Sequence, residues 1–242
     1  LYVRVLEAQR RIAGEDHPTT WIAMSNLATF YANHERLSEA ESLHAAVLAN
    51  RTALLGEDHA MVLRTRHNLG VLYHRQGDLE LARETLEGVV EARRALFGDE
   101  YDKVLHSSVA LAEVLRDAGR FAQAEQLYRD VLAARTASLG EEHRYVAYDE
   151  MRLGSFLTER ERWADALRYL EPAVRKFRDL GVRAADLGLT LEEYARCLEA
   201  TGARDPGRAA YQEALEALEA GFGPDHEHTG RVRTALAALG SP

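Results

Sequence analysis

Gly14-Glu15-Asp16-His17 returns as Gly56-Glu57-Asp58-His59, as Gly98-Asp99-Glu100-Tyr101, as Gly140-Glu141-Glu142-His143 and as Gly223-Pro224-Asp225-His226. The first four glycines stand 42 residues apart, and the remaining interval of 83 divides at Gly181 into 41 and 42. A fixed period of this length is the mark of stacked repeats. Behind each glycine the same pattern recurs, as Asn26-Leu27-Ala28, Asn68-Leu69-Gly70, Ala110-Leu111-Ala112, Arg152-Leu153-Gly154 and Glu193-Tyr194-Ala195. Tyr31, Tyr73, Leu115, Leu157 and Leu198 follow one helical turn later, and Ala40, Ala82, Ala124 and Ala166 lie beyond a turn marked by Gly77, Gly119 or Gly202. Spacings of three and four put these residues on one helical face. The small residue admits a neighbouring helix, and the Tyr or Leu fills the space beside it. Each period therefore reads as two antiparallel helices, A and then B.

Local punctuation supports the division. Ser38 with Glu41 reads as a capping box opening a B helix, and Asp78 after Gly77 as an N-cap. Asp205 before Pro206 reads as an N-cap with proline at the first helical position. The glycine heading each repeat suits a left-handed position ending helix B. Repeat four departs from the pattern: Glu161-Arg162 stands near the expected turn glycine, and Pro172 falls inside helix B. A kink or an irregular helix end is expected there.

These motifs resemble the tetratricopeptide repeat in its long 42-residue form, the kinesin-light-chain type. Leu69-Gly70, Tyr73, Gly77, Ala82 and the Gly-Glu-Asp-His junctions carry the resemblance. It implies an all-α, right-handed superhelical solenoid. The expected organisation is one repeat domain over 1–242, with a trailing helix at 1–13, repeats at 14–55, 56–97, 98–139, 140–180 and 181–222, and a capping helix at 223–242. Leu1-Tyr2-Val3-Arg4-Val5-Leu6 matches Leu127-Tyr128-Arg129-Asp130-Val131-Leu132, so residue 1 is expected to fall inside a B helix of a longer protein. The family context suggests a bacterial signalling or effector protein.

Composition narrows the function. Charged residues make up 29% and hydrophobic residues 46%, a balance that excludes disorder. Aromatics reach only 7%, which favours helix over strand. The net charge of -9 argues against a nucleic-acid surface. A single cysteine excludes a disulfide framework and a Cys-based zinc site, and fits the cytoplasm. No apolar run approaches a membrane span. Phosphate-loop, dinucleotide and nucleophile-elbow signatures are absent, and no catalytic constellation, metal set or cofactor is expected. His17, His59, His143 and His226 lie a full repeat apart and read as residues that cap or pack helix A. Cys197 reads as a buried small hydrophobe.

The resemblance implies that the A-helix faces turned away from the B helices line a concave binding wall. Two features there point to a ligand. Asn26 and Asn68 occupy one position in successive repeats, where related domains hold a peptide main chain; an amide offers both donors and an acceptor. Arg64, Arg116 and Arg152, with His67 and His106, gather positive charge in an acidic chain, suited to a carboxylate. Glu192, Glu193 and Glu199 turn the wall acidic in repeat five. The other reading is that these polar residues merely solvate an exposed wall. The expected partner is a protein or peptide, with an acidic group near the arginines. Self-association through the first helix, or autoinhibitory packing against another domain, is the alternative.

Overall fold

The structure, a computed structural model, describes residues 1–99 and 101–240. Glu100, part of the third junction motif, lies outside them, as do Ser241 and Pro242. The described residues form twelve α-helices and no strand. The chain divides into two compact units, Leu1–Leu127 and Tyr128–Pro242.

The first unit runs α1 (Tyr2–Ala13), α2 (Pro18–Asn33), α3 (Leu37–Leu55), α4 (Ala60–Gln76), α5 (Leu79–Phe97) and α6 (Asp102–Asp117). Helix α7 (Phe121–Leu139) spans the division. The second unit continues with α8 (Arg144–Glu159), α9 (Trp163–Asp179), α10 (Ala184–Ala200), α11 (Arg204–Phe222) and α12 (Glu227–Ala238). In each unit consecutive helices pack on one another. The small residues allow it: Ala40, Ala82, Ala124 and Ala166 are fully buried. A Cβ added at Gly70 would stand 2.7 Å from Leu86 Cγ. The first unit's core is built on Leu6, Trp21, Met24, Leu27 and Val47. That of the second gathers Leu191, Ala195, Tyr211, Ala214, Leu218 and Val232.

The chain turns differently at its two kinds of junction. Between A and B, Gly77 is left-handed (φ 85°, ψ 5°), and its amide returns to the carbonyls of α4. Glu35 and Glu161 hold positive φ (59° and 57°) without being glycine, a conformation that crowds Cβ against the backbone. Between B and A the expectation needs correction. Gly56 has positive φ (82°) but ψ 161°, so it is not left-handed helical; the chain leaves helix B extended toward the next A helix.

Two expected caps are also corrected. Helix α3 is capped by Arg36, which places Ser38 inside the first turn, and no side chain caps it. Arg36 instead clasps Glu39. Helix α11 is capped by Ala203, so Asp205 and Pro206 lie within its first turn, where the missing proline N–H costs no helical bond. Asp78 does cap α5, its carboxylate accepting the Leu81 amide at 3.3 Å. Pro172 lies inside α9, which ends on Leu180 in a helical conformation rather than on a glycine.

Candidate functional site

Each A helix is entered through its junction residue. His17, His59, His143 and His226 sit in extended backbone at the N-cap, and each Nδ1 accepts the amide two residues on, at 3.1–3.3 Å. That commits the histidines to helix initiation. Tyr101 replaces them before α6 and makes no side-chain cap bond. Among the described residues, no three His, Cys, Asp or Glu side chains are grouped to hold a metal ion. Cys197 is fully buried, 3.1 Å from Thr158 Oγ1, and burial pushes its thiol up.

In the first unit, Asn26 lies exposed on α2 and Asn68 half-buried on α4. Arg64 shares the α4 face one turn before His67 and is exposed. His67 departs from the expected solvent-facing donor. It is buried, 4.9 Å from the His106 ring centroid on α6, with Nδ1 3.1 Å from Ser107 Oγ. Burial, with His106 and Arg93 beside it, pushes its pKa down to about 3, so the ring is neutral. Arg93 donates to the same Ser107 oxygen, which leaves the serine proton available to His67. Arg116 is half-buried, and its Nε donates to Asp117 Oδ1 at 2.8 Å. Asp117 also meets His74 Nε2 at 2.6 Å, so Arg116 faces a carboxylate rather than an open wall.

In the second unit, Arg152 is half-buried beside Asp149 at 3.4 Å and lies over the Tyr148 ring. The expected acidic stretch is corrected. Glu192 is buried, accepting from Arg231 Nε at 3.0 Å and meeting His228 Nδ1 at 2.8 Å. Burial raises the Glu193 carboxyl, and Arg196 donates to it at 3.0 Å. Glu199 stays exposed and accepts from the Tyr211 hydroxyl. Glu192 thus fastens α12 to α10 and offers no free charge.

One set of residues went unread in the sequence. Arg51, Arg93 and Arg135 recur 42 residues apart at one position of successive B helices, Lys176 stands one residue short of that position in the next, and all four are buried. Each reaches a different partner. Arg51 donates to Thr65 Oγ1 at 2.7 Å. Arg93 donates to Ser107 Oγ and to the Lys103 carbonyl. Arg135 faces Asp149 at 3.2 Å, and Lys176 meets Glu150 at 2.6 Å. The interval of 42 was the available signal, but basic residues on helices usually face water.

The tetratricopeptide repeat model matches residues 22–95, 72–137 and 104–175. The chain belongs to the tetratricopeptide repeat family. Comparison with curated protein sequences returned no match. Among solved structures, the tetratricopeptide-like repeats of a Podosopora anserina putative kinesin light chain align over 84% of this chain and 97% of theirs, at TM-score 0.70 and 23% identity. BtubC (BKLC) of P. vanneervenii covers all of this chain and 91% of its own, at TM-score 0.73 and 23% identity. The apo form of RapI reaches TM-score 0.77 at 13% identity, over 91% of this chain and 77% of its own. At these identities the likeness concerns the fold. Tetratricopeptide repeat proteins are, as a family, protein-interaction scaffolds. Among the described residues, no helix is long and apolar enough to cross a membrane.

Proposed function

We propose that this tetratricopeptide repeat domain is a non-enzymatic interaction module that binds an extended peptide or partner segment along its A-helix faces. The observation that carries this reading is the register of Asn26 and Asn68, one above the other in successive repeats, with Arg64 exposed one turn from Asn68. Paired amides at that spacing hold a main chain whatever its side chains, and Arg64 favours an acidic group beside it. The reading includes a cytoplasmic setting and a role as one module of a larger signalling protein. Arg116 and Arg152 would contribute only by exchanging Asp117 and Asp149 for a ligand carboxylate.

The test is a display library of unbiased peptides panned on the whole chain. Asn68→Ala, and Asn26→Ala with it, should weaken every selected peptide, whereas Arg64→Ala should weaken only acidic ones. Losing a charge-assisted bond corresponds to about tenfold to a hundredfold. Selected peptides that bind both variants as tightly as wild type would reject the wall as the binding surface. A second reading, self-association, is favoured by α1, where Val3, Val5 and Ile12 are exposed at 44%, 43% and 76%. A mass that rises with concentration in light scattering, and is reset by Val5→Glu, would support it.

A further inference from the structure

We propose that the α4–α6 face of the first unit carries a site for a phosphoryl-type oxyanion, contacted by Arg64 and His106 and backed by the buried guanidiniums of Arg51 and Arg93.

Two buried charges of the first unit are left without a counter-ion. A guanidinium stays protonated in a protein, so burying it is costly unless an anion is close. The second unit meets that need internally, because Arg135 faces Asp149 and Lys176 meets Glu150. The first unit places hydroxyls in the same register. Arg51 reaches Thr65 Oγ1, and Arg93 reaches Ser107 Oγ and a carbonyl. Arg51 is only 1% exposed, and its Nε and Nη2 have no hydrogen-bond partner. Burial first, and the Arg64 cation second, hold the Arg51 pKa below its ordinary value. Among the described residues, no carboxylate acts on Arg51 or Arg93.

Exposed basic side chains stand next in sequence to the hydroxyls that these cations contact. Arg64 and His106 occupy the same position in successive A helices, and both are exposed. Each is followed by the hydroxyl residue that a buried arginine contacts, Thr65 or Ser107. His67, one turn after Arg64 on α4, has its ring 4.9 Å from that of His106. A phosphoryl group brings close to two negative charges and three acceptor oxygens, matching two uncompensated guanidiniums better than a single carboxylate. Free phosphate compounds and a phosphorylated side chain on a partner segment share that chemistry. The second source deepens the interaction-module reading; the first does not need it.

The test uses the whole chain at neutral pH, at fixed chloride, with inorganic phosphate as probe in calorimetry and thermal unfolding. Saturable binding and a raised Tm are expected. Arg64→Gln and His106→Asn, both surface changes, should each weaken binding about tenfold to a hundredfold, while Arg231→Gln in the second unit leaves phosphate affinity unchanged even where it lowers the Tm. Arg51→Met separates charge from packing. It should leave Tm without phosphate equal or higher, because an unpaired buried charge is gone, and should shrink the shift that phosphate produces. A phosphoserine peptide and its unphosphorylated twin distinguish the sources. Tighter binding of the phosphorylated form than of inorganic phosphate indicates a partner segment, and equal affinity a free oxyanion. Absence of saturable binding for both probes, or affinity unchanged in both Arg64→Gln and His106→Asn, overturns the site. Library peptides that bind through Asn68 without phosphate would then leave the module reading standing, so the two proposals can fail separately.

Discussion

Acidification should destabilise the first unit through two histidines, and His44→Leu isolates the effect. His44 is buried on α3, its Nδ1 has no hydrogen-bond partner, and Arg51 lies close enough to repel a second charge. Burial first, and Arg51 second, push its pKa from 6.5 down to about 4. His67 is pushed to about 3. Both folded values lie below the unfolded one, so the unfolded chain takes up protons first as pH falls. The stabilisation is complete above pH 6.5 and drains away toward pH 4 for His44 and toward pH 3 for His67. At about pH 5 each ring is neutral in the fold and nearly fully charged when unfolded, a difference of about 2 kcal/mol per histidine. Glu150 and Glu193, whose carboxyls burial raises, act with the opposite sign. They are present in both proteins and cancel in the comparison. Urea unfolding followed by circular dichroism at about pH 8 and about pH 5 should show a loss about 2 kcal/mol smaller in His44→Leu than in wild type, at similar m. Parallel losses in the two proteins, within about 0.5 kcal/mol, would refute the assignment of a neutral buried ring.

Glycine positions separate packing from propensity. Gly70→Ala drives a methyl to within 2.7 Å of Leu86 Cγ and should cost about 1–3 kcal/mol by thermal unfolding. Gly88→Ala meets nothing within 4 Å in the middle of α5 and should stabilise by about 0.5–1 kcal/mol. The Lys176–Glu150 pair tests whether the buried cations are needed for stability. Lys176→Met alone leaves a buried carboxylate and should cost about 3–5 kcal/mol, and Lys176→Met with Glu150→Leu should recover most of it in denaturant titrations.

The repeat architecture was legible in the sequence because it depends on local periodicity. A glycine every 42 residues and a small residue one helix later dictate helix pairs wherever they sit. Ala40, Ala82, Ala124 and Ala166 were readable as packing positions, and all are fully buried. The junction histidines were readable as caps for the same reason, since a cap acts across two residues. Cap positions were less secure. Ser38 and Asp205 have the right chemistry, yet the preceding turn starts each helix earlier, at Arg36 and Ala203.

Which polar side chains are buried, and which are neutralised, was decided by tertiary structure. His67 and Arg64 stand three residues apart on one face of α4, yet one is enclosed by α6 and the other is open to water. Glu192 reads as free charge along its own helix, but Arg231 and His228 reach it from α12. Arg51 and Arg135 share a register and differ only in what the next A helix presents, Thr65 or Asp149. Helical periodicity determines the face a residue occupies. Its exposure and its counter-charge come from a neighbouring helix tens of residues away, and so does the free energy of burying a charge.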